Sequence, residues 1–588
     1  MGTFDGVPLR KPLQSKARGR ASARAGLQPR SAVRLHFYVM HQYPGLRPMG
    51  RLPEGTQVRA ETAAARLVAS FLAVPLGIAS LLVAVRALFG KPIHSIVNIG
   101  APLNPEGAAA LCLLLSLILL SRGPAGSPAA QRAGLRTLGA LGLALVVTLA
   151  CYWRSLWFPF ISDDYVIVAR SLRGEMLGRL LTQGDAGVAF RPLTRFLFAL
   201  QGRSGSADPF WWHSVGMIFH LANCALVFLL ARRFVAPGVA VFAAAIFGLH
   251  ATHPEAVSWM NSRSDVLAAF FLLSALLVFL EHWTRPHWSR RLAALLLVAL
   301  AVLNKESAYA FVPLAWLLVA AKDKPGWKGI RVLLPFAALE GALFAYRWWV
   351  LGGVGGYASS ATGRSMFLSF DLLRVVKTLC WRIWAILFFP VNWDVPPTAF
   401  LGVTLVLAAA ALLVLSRART QRRTLLALAA FVVVSILPVL PLAMVGPSLL
   451  NARLYYLPSV GFALLLGVAL NAVRPHTLRA GAAAALLLFH FAALRQELDV
   501  WQPVTRLAKR TCVDTAKLVS PGSRIVISGV PAIINGVFFL GNGFQECVEL
   551  EAGHRLPPLV AGRGQPANST ARVFRWDPDQ RRLVAAGP

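Results

Sequence analysis

WWHSVGMIFHLANCALVFLLA, residues 211–231, decides the fold class of this chain. The stretch has no Asp, Glu, Lys or Arg, and a transmembrane helix needs roughly 17–25 predominantly apolar residues. The whole chain shares this character, because 56% of its 588 residues are hydrophobic and only 14% are charged. Soluble domains usually carry about 25% charged residues. We therefore predict an all-α polytopic membrane protein with about 13 transmembrane helices.

The predicted spans lie near 62–89, 107–121, 134–152, 211–231, 236–250, 266–282, 291–304, 307–321, 331–350, 397–416, 424–445, 453–473 and 480–494. A further apolar stretch, 367–390, has ionisable residues at three- to five-residue steps. That spacing is typical of an amphipathic helix lying in the membrane interface. The residues concerned are Asp371, Arg374, Lys377 and Arg382.

The charge balance predicts which side of the membrane each loop faces. Lys and Arg number 59 against 25 Asp and Glu, which gives a net charge of +34. With the N-terminus in the cytoplasm, the short loops on that side hold 18 Lys and Arg, whereas the opposite short loops hold only Lys91, Arg263 and Lys305. Because short cytoplasmic loops are enriched in basic residues, we predict a cytoplasmic N-terminus and an extracytoplasmic C-terminus. The excess charge then reflects topology and not a nucleic-acid-binding surface.

The chain divides into four predicted regions: a basic, disordered cytoplasmic tail (1–61), two extra transmembrane helices (62–133), a transmembrane module with outer loops 153–210 and 351–396 (134–494), and a small extracytoplasmic C-terminal domain (495–588). Strand-like runs such as Arg524-Ile-Val-Ile-Ser are separated by Pro and Gly turns in the last region, which indicates a mixed α/β or β-rich domain. Cys512 and Cys547 could pair there if the region faces an oxidising compartment.

Two adjacent carboxylates, Asp163 and Asp164, open the first large outer loop. They directly follow a predicted outward helix, so they would sit at the membrane surface. Like charges and partial burial raise the pKa of one member of such a pair, which suits a general base or a metal ligand. The alternative is a helix cap with solvated acids.

Basic residues also face the outer side. Arg191 favours phosphate through planar bidentate hydrogen bonds, or it extends to the interface as a structural arginine. Lys305 could meet a phosphate, or it could form an ion pair with Glu306. Arg263 and Asp265 open the next helix, where a structural ion pair or cap is the alternative.

Histidines form a further set of polar residues on the same side. His213 and His220 lie seven residues apart on one helix face, and polar residues within membrane spans are candidate functional residues. Hydrogen bonding between helices is an equally good interpretation. His250, His253 and Glu255 could bind a metal or carry protons, although their spacing is a weak metal signal.

Seven polar stretches follow one another along the chain in this order: Asp163-Asp164, Arg191-Pro192-Leu, His213 to Asn223, His250-Ala-Thr-His253-Pro-Glu255-Ala-Val, Arg263-Ser-Asp265, Lys305-Glu306 and Arg453-Leu-Tyr455-Tyr456-Leu-Pro458-Ser459. Over roughly 134–500 this resembles the GT-C superfamily of polytopic glycosyltransferases. Within it, the chain is similar to the protein O-mannosyltransferase-related group, which includes transmembrane-and-TPR-containing proteins and bacterial relatives. It departs from that pattern at Ala251, where the family usually has Pro, at Gly216, where many relatives have Asn, and in the lack of a TPR array after the last span.

The resemblance implies transfer of a sugar from a polyprenyl-phosphate-linked donor to an acceptor outside the cytoplasm. Asp163 or Asp164 would be the base of an inverting displacement, and the other would position the acceptor or hold a divalent cation. The cations implied to bind the donor phosphate are Arg191, Arg263, Lys305 and Arg453. The residues implied to contact the acceptor or support the catalytic groups are His213, His220, His250, His253, Glu255, Asp265, Glu306 and Tyr455.

Several alternatives stay open from the sequence. The sugar is mannose or another hexose or pentose, and the acceptor is a protein Ser/Thr, a lipid or a cell-surface glycan. The implied partners are the lipid bilayer, the lipid-linked donor and that acceptor, with no nucleic acid. High Ala, Leu and Arg with few Lys suggest a bacterial inner membrane protein. The alternative functions are a polytopic transporter or lipid-linked-saccharide flippase, whose sites usually lie near the bilayer midplane, and a non-catalytic membrane scaffold.

Overall fold

The computed structural model describes residues 128–391, 419–442, 449–473, 476–519, 525–556 and 572–585, apart from 179, 183, 185–188 and 357–371, together with 402, 405 and 416. All of them belong to one compact unit, residues 64–588. The predicted tail 1–61, the predicted spans 62–89 and 107–121, and all but three residues of the predicted span 397–416 lie outside the described residues.

Helices dominate the described residues. The α-helices are α1 (Pro128–Tyr152), α2 (Asp163–Leu172), α3 (Pro192–Gly202), α4 (Pro209–Ala231), α5 (Pro237–Gly248), α6 (Pro254–Ser258), α7 (Arg263–Thr284), α8 (Trp288–Val302), α9 (Phe311–Ala320), α10 (Gly326–Leu351), α11 (Leu372–Lys377), α12 (Ile383–Phe388), α13 (Arg422–Ile436), α14 (Tyr456–Asn471), α15 (His476–Leu518) and α16 (Phe544–Ala552). Short 3₁₀ turns join several of them: Trp153–Trp157, Glu175–Leu177, Met260–Ser262, Glu306–Ala310, Arg419–Gln421, Leu437–Leu442 and Ala452–Tyr455.

Ten of the 13 predicted spans coincide with helices in the part of the chain that the structure describes. Seven helices there are long and apolar enough to cross a membrane: Gly134–Trp157, Pro209–Ala231, Met260–Thr284, Gly326–Leu351, Arg422–Leu440, Ala452–Asn471 and His476–Leu518. The predicted span 236–250 is shorter than expected, since α5 has only 12 residues and ends at Gly248. The polar run from His250 to Glu255 follows it directly.

Two helices form the centre of the bundle. The protein buries 83% of the most apolar 18 residues of the helix 452–471 and 78% of those of α4. The corresponding buried shares are only 22% in α10 and 17% in the helix 134–157. The outer helices instead expose large apolar side chains such as Leu143, Trp349 and Leu488. Because a bilayer accepts such side chains where water does not, these surfaces are suited to contact lipid.

The stretch 367–390 is helical over Leu372 to Phe388, with a π-helical turn at Thr378–Arg382 between α11 and α12. Ile383 and Leu387 are buried, whereas Leu372 and Leu373 are largely exposed. The interfacial, amphipathic character of the stretch stays a prediction.

Helix α15 is the longest element, with 43 residues from His476 to Leu518. At 1.5 Å per residue it extends about 65 Å, about twice the thickness of the hydrocarbon core. No break in secondary structure marks the domain boundary predicted at 494/495. The helix of the last predicted span therefore continues directly into the C-terminal region.

The residues after α15 form two small sheets and one helix. One sheet has the order β1 (Ile525–Ser528), β4 (Arg572–Asp577), β5 (Arg582–Ala585), with β1 parallel to β4 and β5 antiparallel to it. The other sheet is a hairpin of β2 (Ile533–Ile534) and β3 (Val537–Phe538). Its turn residues Asn535 and Gly536 have φ of 50° and 79°, as a two-residue type I′ turn requires.

Candidate active site

The acidic pair Asp163 and Asp164 forms the first turn of α2. Ser162, which precedes it, has a φ of 44°, and its backbone N–H donates to the Phe539 carbonyl oxygen at 2.6 Å. The N-terminus of a helix favours negative charge, because its first N–H groups are unpaired and the helix dipole is positive there. This placement favours the ionised forms of both carboxylates and acts against the rise in pKa that burial causes.

Asp163 is partly exposed, and both of its carboxylate oxygens accept hydrogen bonds from asparagine amides. Asn261 Nδ2 donates to Oδ2 at 3.0 Å, and Asn542 Nδ2 donates to Oδ1 at 3.0 Å. Burial raises the pKa of Asp163, whereas the two amides and the positive charge of Arg453 oppose that rise. The carboxylate is thus held in one orientation by donors from two distant parts of the chain.

Asp164 differs from its neighbour because its side chain is fully buried. Its Oδ1 accepts the backbone N–H of Asn261 at 3.1 Å, and within the described residues its Oδ2 has no hydrogen-bond partner. Burial raises the pKa of Asp164 well above its usual value, and the negative charge of Asp163 adds to the rise. Only Asp163 of the pair therefore reaches the surface, where an acceptor would approach.

The second group of charged side chains, the cation cluster, consists of Arg191, Arg347 and Lys305 with the carboxylates of Glu306 and Asp265. Two of its arginines share the Glu306 carboxylate. Arg191 Nη2 lies 3.5 Å from Glu306 Oε1, and Arg347 Nη2 lies 3.6 Å from the same oxygen. The adjacent Lys305 is buried and pairs with Asp265, with Nζ 2.5 Å from Oδ2. Three cations thus converge on two carboxylates, so the cluster carries a net charge of about +1 in its ionised form. This excess is suited to attract an anion.

Arg453 links these two clusters. Its side chain forms an ion pair with Glu255, and its backbone N–H donates to the other oxygen of that carboxylate at 3.2 Å. The guanidinium lies over two aromatic rings, 5.0 Å from the centroid of Trp259 and 5.5 Å from that of Phe538. Arg453 is also among the charges that act on both Asp163 and Lys305. The start of α7 joins the acidic pair and the cation cluster into one site, because Asn261 donates to Asp163 at 3.0 Å and Asp265 pairs with Lys305 at 2.5 Å.

Arg263 takes a different place from the one predicted for it. It is 1% exposed, its two Nη groups donate to the Gln201 side chain and the Trp212 carbonyl oxygen, and its guanidinium stacks over Phe198 at 4.7 Å. The predicted pair with Asp265 does not form, because Asp265 pairs with Lys305. Arg263 thus anchors the start of α7 inside the protein, and we leave it out of the candidate phosphate-binding set.

The histidines mostly join helices. His220 Nδ1 is 2.8 Å from the Tyr456 hydroxyl, which also accepts from Asn223 at 3.0 Å. His253 Nε2 is 2.8 Å from Ser459 Oγ. These contacts connect α4 and the start of α6 to α14, as the interhelical interpretation predicted.

His213 and His250 bond elsewhere: His213 Nε2 is 3.0 Å from the Phe158 carbonyl oxygen, and His250 Nε2 is 3.0 Å from that of Leu387. Tyr455 is fully buried. Within the described residues no three His, Cys, Asp or Glu side chains are arranged to hold a metal ion.

Three residues of this site were missed in the sequence. Asn261 lies inside the dense polar run before α7, but an asparagine gives no distinctive signal there. Arg347 lies inside an apolar helix, where the sequence gives no sign of a phosphate-binding role, and its pairing with Glu306 brings it into the cation cluster. Asn542 is separated from Asp163 by 379 positions, so local spacing could not connect the two.

The fold and the site define a polytopic helical membrane protein that gathers an acidic pair and a set of cations at helix ends and in the turns next to them. Its sequence is 26% identical to human protein O-mannosyl-transferase TMTC3 over 190 residues, 30% of this chain and 21% of that relative. It is 31% identical to Drosophila melanogaster protein O-mannosyl-transferase Tmtc1 over 142 residues, 24% of this chain and 16% of that relative. The resemblance to the O-mannosyltransferase group predicted from the sequence is thereby confirmed.

The chain spans about a fifth of the length of the curated relatives it matches. No protein-family model matches the sequence. Among solved structures, ArnT from Cupriavidus metallidurans in the apo state aligns with 13% identity and a TM-score of 0.43, over 71% of this chain and 85% of that chain.

Proposed function

We propose that the protein is a membrane glycosyltransferase that transfers a sugar from a polyprenyl-phosphate-linked donor to an acceptor outside the cytoplasm. The observation that carries this proposal is that the start of α7 contacts both groups of charges, since Asn261 donates to Asp163 and Asp265, four residues further along, pairs with Lys305. A glycosyl transfer of this kind needs a base for the acceptor hydroxyl and fixed cations for the phosphate leaving group. The matched relatives, named protein O-mannosyl-transferases, support mannose as the first sugar to test.

Asp163 is proposed to be the base. It is the member of the pair with a side chain at the surface, and two amide donors stabilise its ionised form. In the proposed step, the acceptor hydroxyl gives its proton to Asp163, and its oxygen forms a bond to the anomeric carbon. The bond between that carbon and the phosphate oxygen breaks on the opposite face, so the configuration inverts. The leaving group is the polyprenyl phosphate.

Asp164 is proposed to support the base and not to replace it. Its carboxylate is fully buried and holds the backbone of Asn261, whose side chain in turn donates to Asp163. A divalent cation held by Asp164 is a further proposal, since within the described residues one oxygen of its carboxylate has no hydrogen-bond partner.

The donor phosphate is proposed to bind at the cation cluster. Arg191, Lys305 and Arg347 supply the positive charge there, and the positive charge of Arg453 also acts to lower the pKa of Asp163. Arginine recognises phosphate through two parallel hydrogen bonds. The phosphate leaving group would gain negative charge as the bond breaks, and fixed cations stabilise such charge more in the transition state than in the ground state.

The site is proposed to face the outer side of a bacterial inner membrane, with the N-terminus in the cytoplasm. The bond between Cys512 and Cys547 supports this orientation of the C-terminal region, because disulfides persist in oxidising compartments. The proposed acceptor is accordingly a protein Ser/Thr, a lipid or a cell-surface glycan on that side.

The test is an assay of sugar transfer in membranes, starting from polyprenyl-phosphate mannose and continuing with other polyprenyl-phosphate sugars. The Asp163→Asn variant is expected to lose transfer by about 10²–10⁴-fold, the usual contribution of a general base. Asp579→Asn is the matched control, because Asp579 is an exposed acid in the C-terminal region. Unchanged transfer by Asp163→Asn, Asp164→Asn and the double variant would overturn the assignment of the base. Failure of the wild-type protein with every donor would favour the transporter alternative.

A further inference from the structure

A segment of the C-terminal region lies directly on the loop that carries the acidic pair. The segment, Phe538–Gly543, follows the β2–β3 hairpin and ends where α16 begins. Ser162 donates its backbone N–H to the Phe539 carbonyl oxygen at 2.6 Å. A Cβ added at Gly543 would lie 2.3 Å from the Ser162 carbonyl oxygen. The two backbones thus approach so closely that only glycine fits at 543.

The same segment contacts both halves of the site. Asn542 donates to Asp163 at 3.0 Å. Phe538 stacks on Trp259, with ring centroids 4.4 Å apart and planes inclined by 22°, and the Arg453 guanidinium lies over both rings. A single hairpin and its following loop therefore contact the base candidate and a cation of the donor site.

Covalent and ionic contacts fix this segment in place. Cys547, in α16, is bonded to Cys512 in α15, with Cα atoms 5.8 Å apart. Lys509 of α15 pairs with Glu551 of α16 at 2.5 Å. On the other side, Arg173, which follows α2, pairs with Glu549 at 2.5 Å. The segment is thus held between the long helix and the helix that begins with the acidic pair.

We propose that Phe538–Gly543 is a working part of the active site, in which Asn542 positions the Asp163 carboxylate and Phe538 positions Arg453. The proposal rests on the proposed function, and it adds the C-terminal region to the catalytic apparatus. Asn542 is a positioning residue, because it acts on the reaction through Asp163.

The charges around Asp163 set the expected direction of its response. The groups that face it are the amides of Asn261 and Asn542, the cation Arg453, and the acids Asp164 and Glu546. Removing an amide donor destabilises the ionised carboxylate and raises the pKa of Asp163. Removing the negative charge of Glu546 lowers it. A base works only when deprotonated, so transfer should require a higher pH in the first variant and a lower pH in the second.

The experiment uses the full-length protein in membranes and measures Asp163 in two ways. Labelling of Asp163 by a hydrophobic carbodiimide, which reacts with the protonated carboxyl, is followed by peptide mass spectrometry across pH. The pH profile of sugar transfer is recorded in parallel. In Asn542→Ala, both midpoints should move up by about one pH unit, with transfer reduced about tenfold below the midpoint and largely recovered above it. In Glu546→Gln, both should move down.

Gln580→Ala is the matched control, since Gln580 is an exposed amide in the β4–β5 turn of the same region. It should behave as wild type. An unshifted labelling midpoint in Asn542→Ala, with the disulfide intact on a non-reducing gel, would overturn the positioning role even if the wild-type protein transfers sugar. A labelling midpoint that shifts in Asn542→Ala, together with no sugar transfer by the wild-type protein, would instead overturn the proposed function and leave the contact standing.

Discussion

One carboxylate oxygen of Glu306 is shared by two guanidinium groups, from Arg191 and Arg347. The three side chains come from three separate elements, the start of α3, the end of α10 and the turn before α9. Glu306 therefore holds the two arginines close together in spite of their mutual repulsion. In the proposed function, the phosphate of the sugar donor would bind beside this preassembled pair.

At the residue scale, we expect Arg347→Ala to raise the KM for the polyprenyl-phosphate sugar by about tenfold or more, because a charge-assisted hydrogen bond to phosphate is lost. Arg347→Lys should recover only part of the loss, since lysine cannot form the bidentate contact. Steady-state kinetics with varied donor concentration measures this. Arg331→Ala, at the opposite end of the same helix, should leave the KM unchanged. Equal KM values for Arg347→Ala and wild type would exclude Arg347 from the donor site.

The packing of α14 on α13 illustrates what the elements contribute. Gly461 in α14 faces α13 so closely that an added Cβ would lie 2.6 Å from Phe431 Cδ1 and 3.1 Å from the Val432 backbone nitrogen. Six residues further along, an added Cβ at Gly467 would meet ordinary van der Waals contact, 3.5 Å from Ala243 Cβ. Small residues allow membrane helices to approach closely, and α14 carries Tyr456 and Ser459 of the histidine network.

At the element scale, Gly461→Ala should therefore lower the stability of the protein by about 1–3 kcal/mol, the usual cost of overpacking. Gly467→Ala, in the same helix, should be neutral or stabilise by up to about 1 kcal/mol, because alanine has the higher helix propensity. Thermal unfolding of the purified protein in detergent compares the two. If the Gly461→Ala variant is as stable as Gly467→Ala, the close approach of α14 and α13 at Gly461 does not contribute to the free energy of unfolding.

Much of the helical fold was predictable because apolar runs of span length leave few other structures in a membrane. The continuation of the last helix past 494/495 was not predictable, because the sequence becomes polar there while the helix continues to Leu518. In the site, the adjacent carboxylates stood out in the sequence, whereas Asn542 reaches Asp163 only through folding. Arg263 was assigned to phosphate from its residue type, but burial and its contacts with Gln201 and Trp212 give it a structural place.

The loops predicted to face the cytoplasm hold most of the excess basic residues, and the disulfide lies in the region predicted to be on the other side. These two features are independent, since one depends on loop composition and the other on the redox state of a compartment. Both indicate the same orientation. Ser289, half-buried in the first turn of α8, is on the predicted cytoplasmic side.

At the scale of the whole molecule, thiol labelling of spheroplasts tests this orientation in a background with Cys380→Ser. When a membrane-impermeant maleimide is added outside sealed spheroplasts, it should not label Cys512 or Cys547 of the folded protein, because both are buried and joined by a disulfide. It should label both after the protein is reduced and denatured. A Ser289→Cys variant should be labelled only after the membrane is permeabilised. Labelling of Ser289→Cys in sealed spheroplasts would reverse the proposed topology.

Helix α15 also ties the site to the lipid around it. A rod of about 65 Å that crosses a core of about 30 Å responds to hydrophobic mismatch by changing its tilt. Cys512 lies in the far portion of the helix, so a tilt of about 10° displaces it by several ångströms parallel to the membrane plane. Since the Cys512–Cys547 bond couples that portion to α16, which begins two residues after Asn542, we expect the geometry around Asp163 to respond to the thickness of the bilayer.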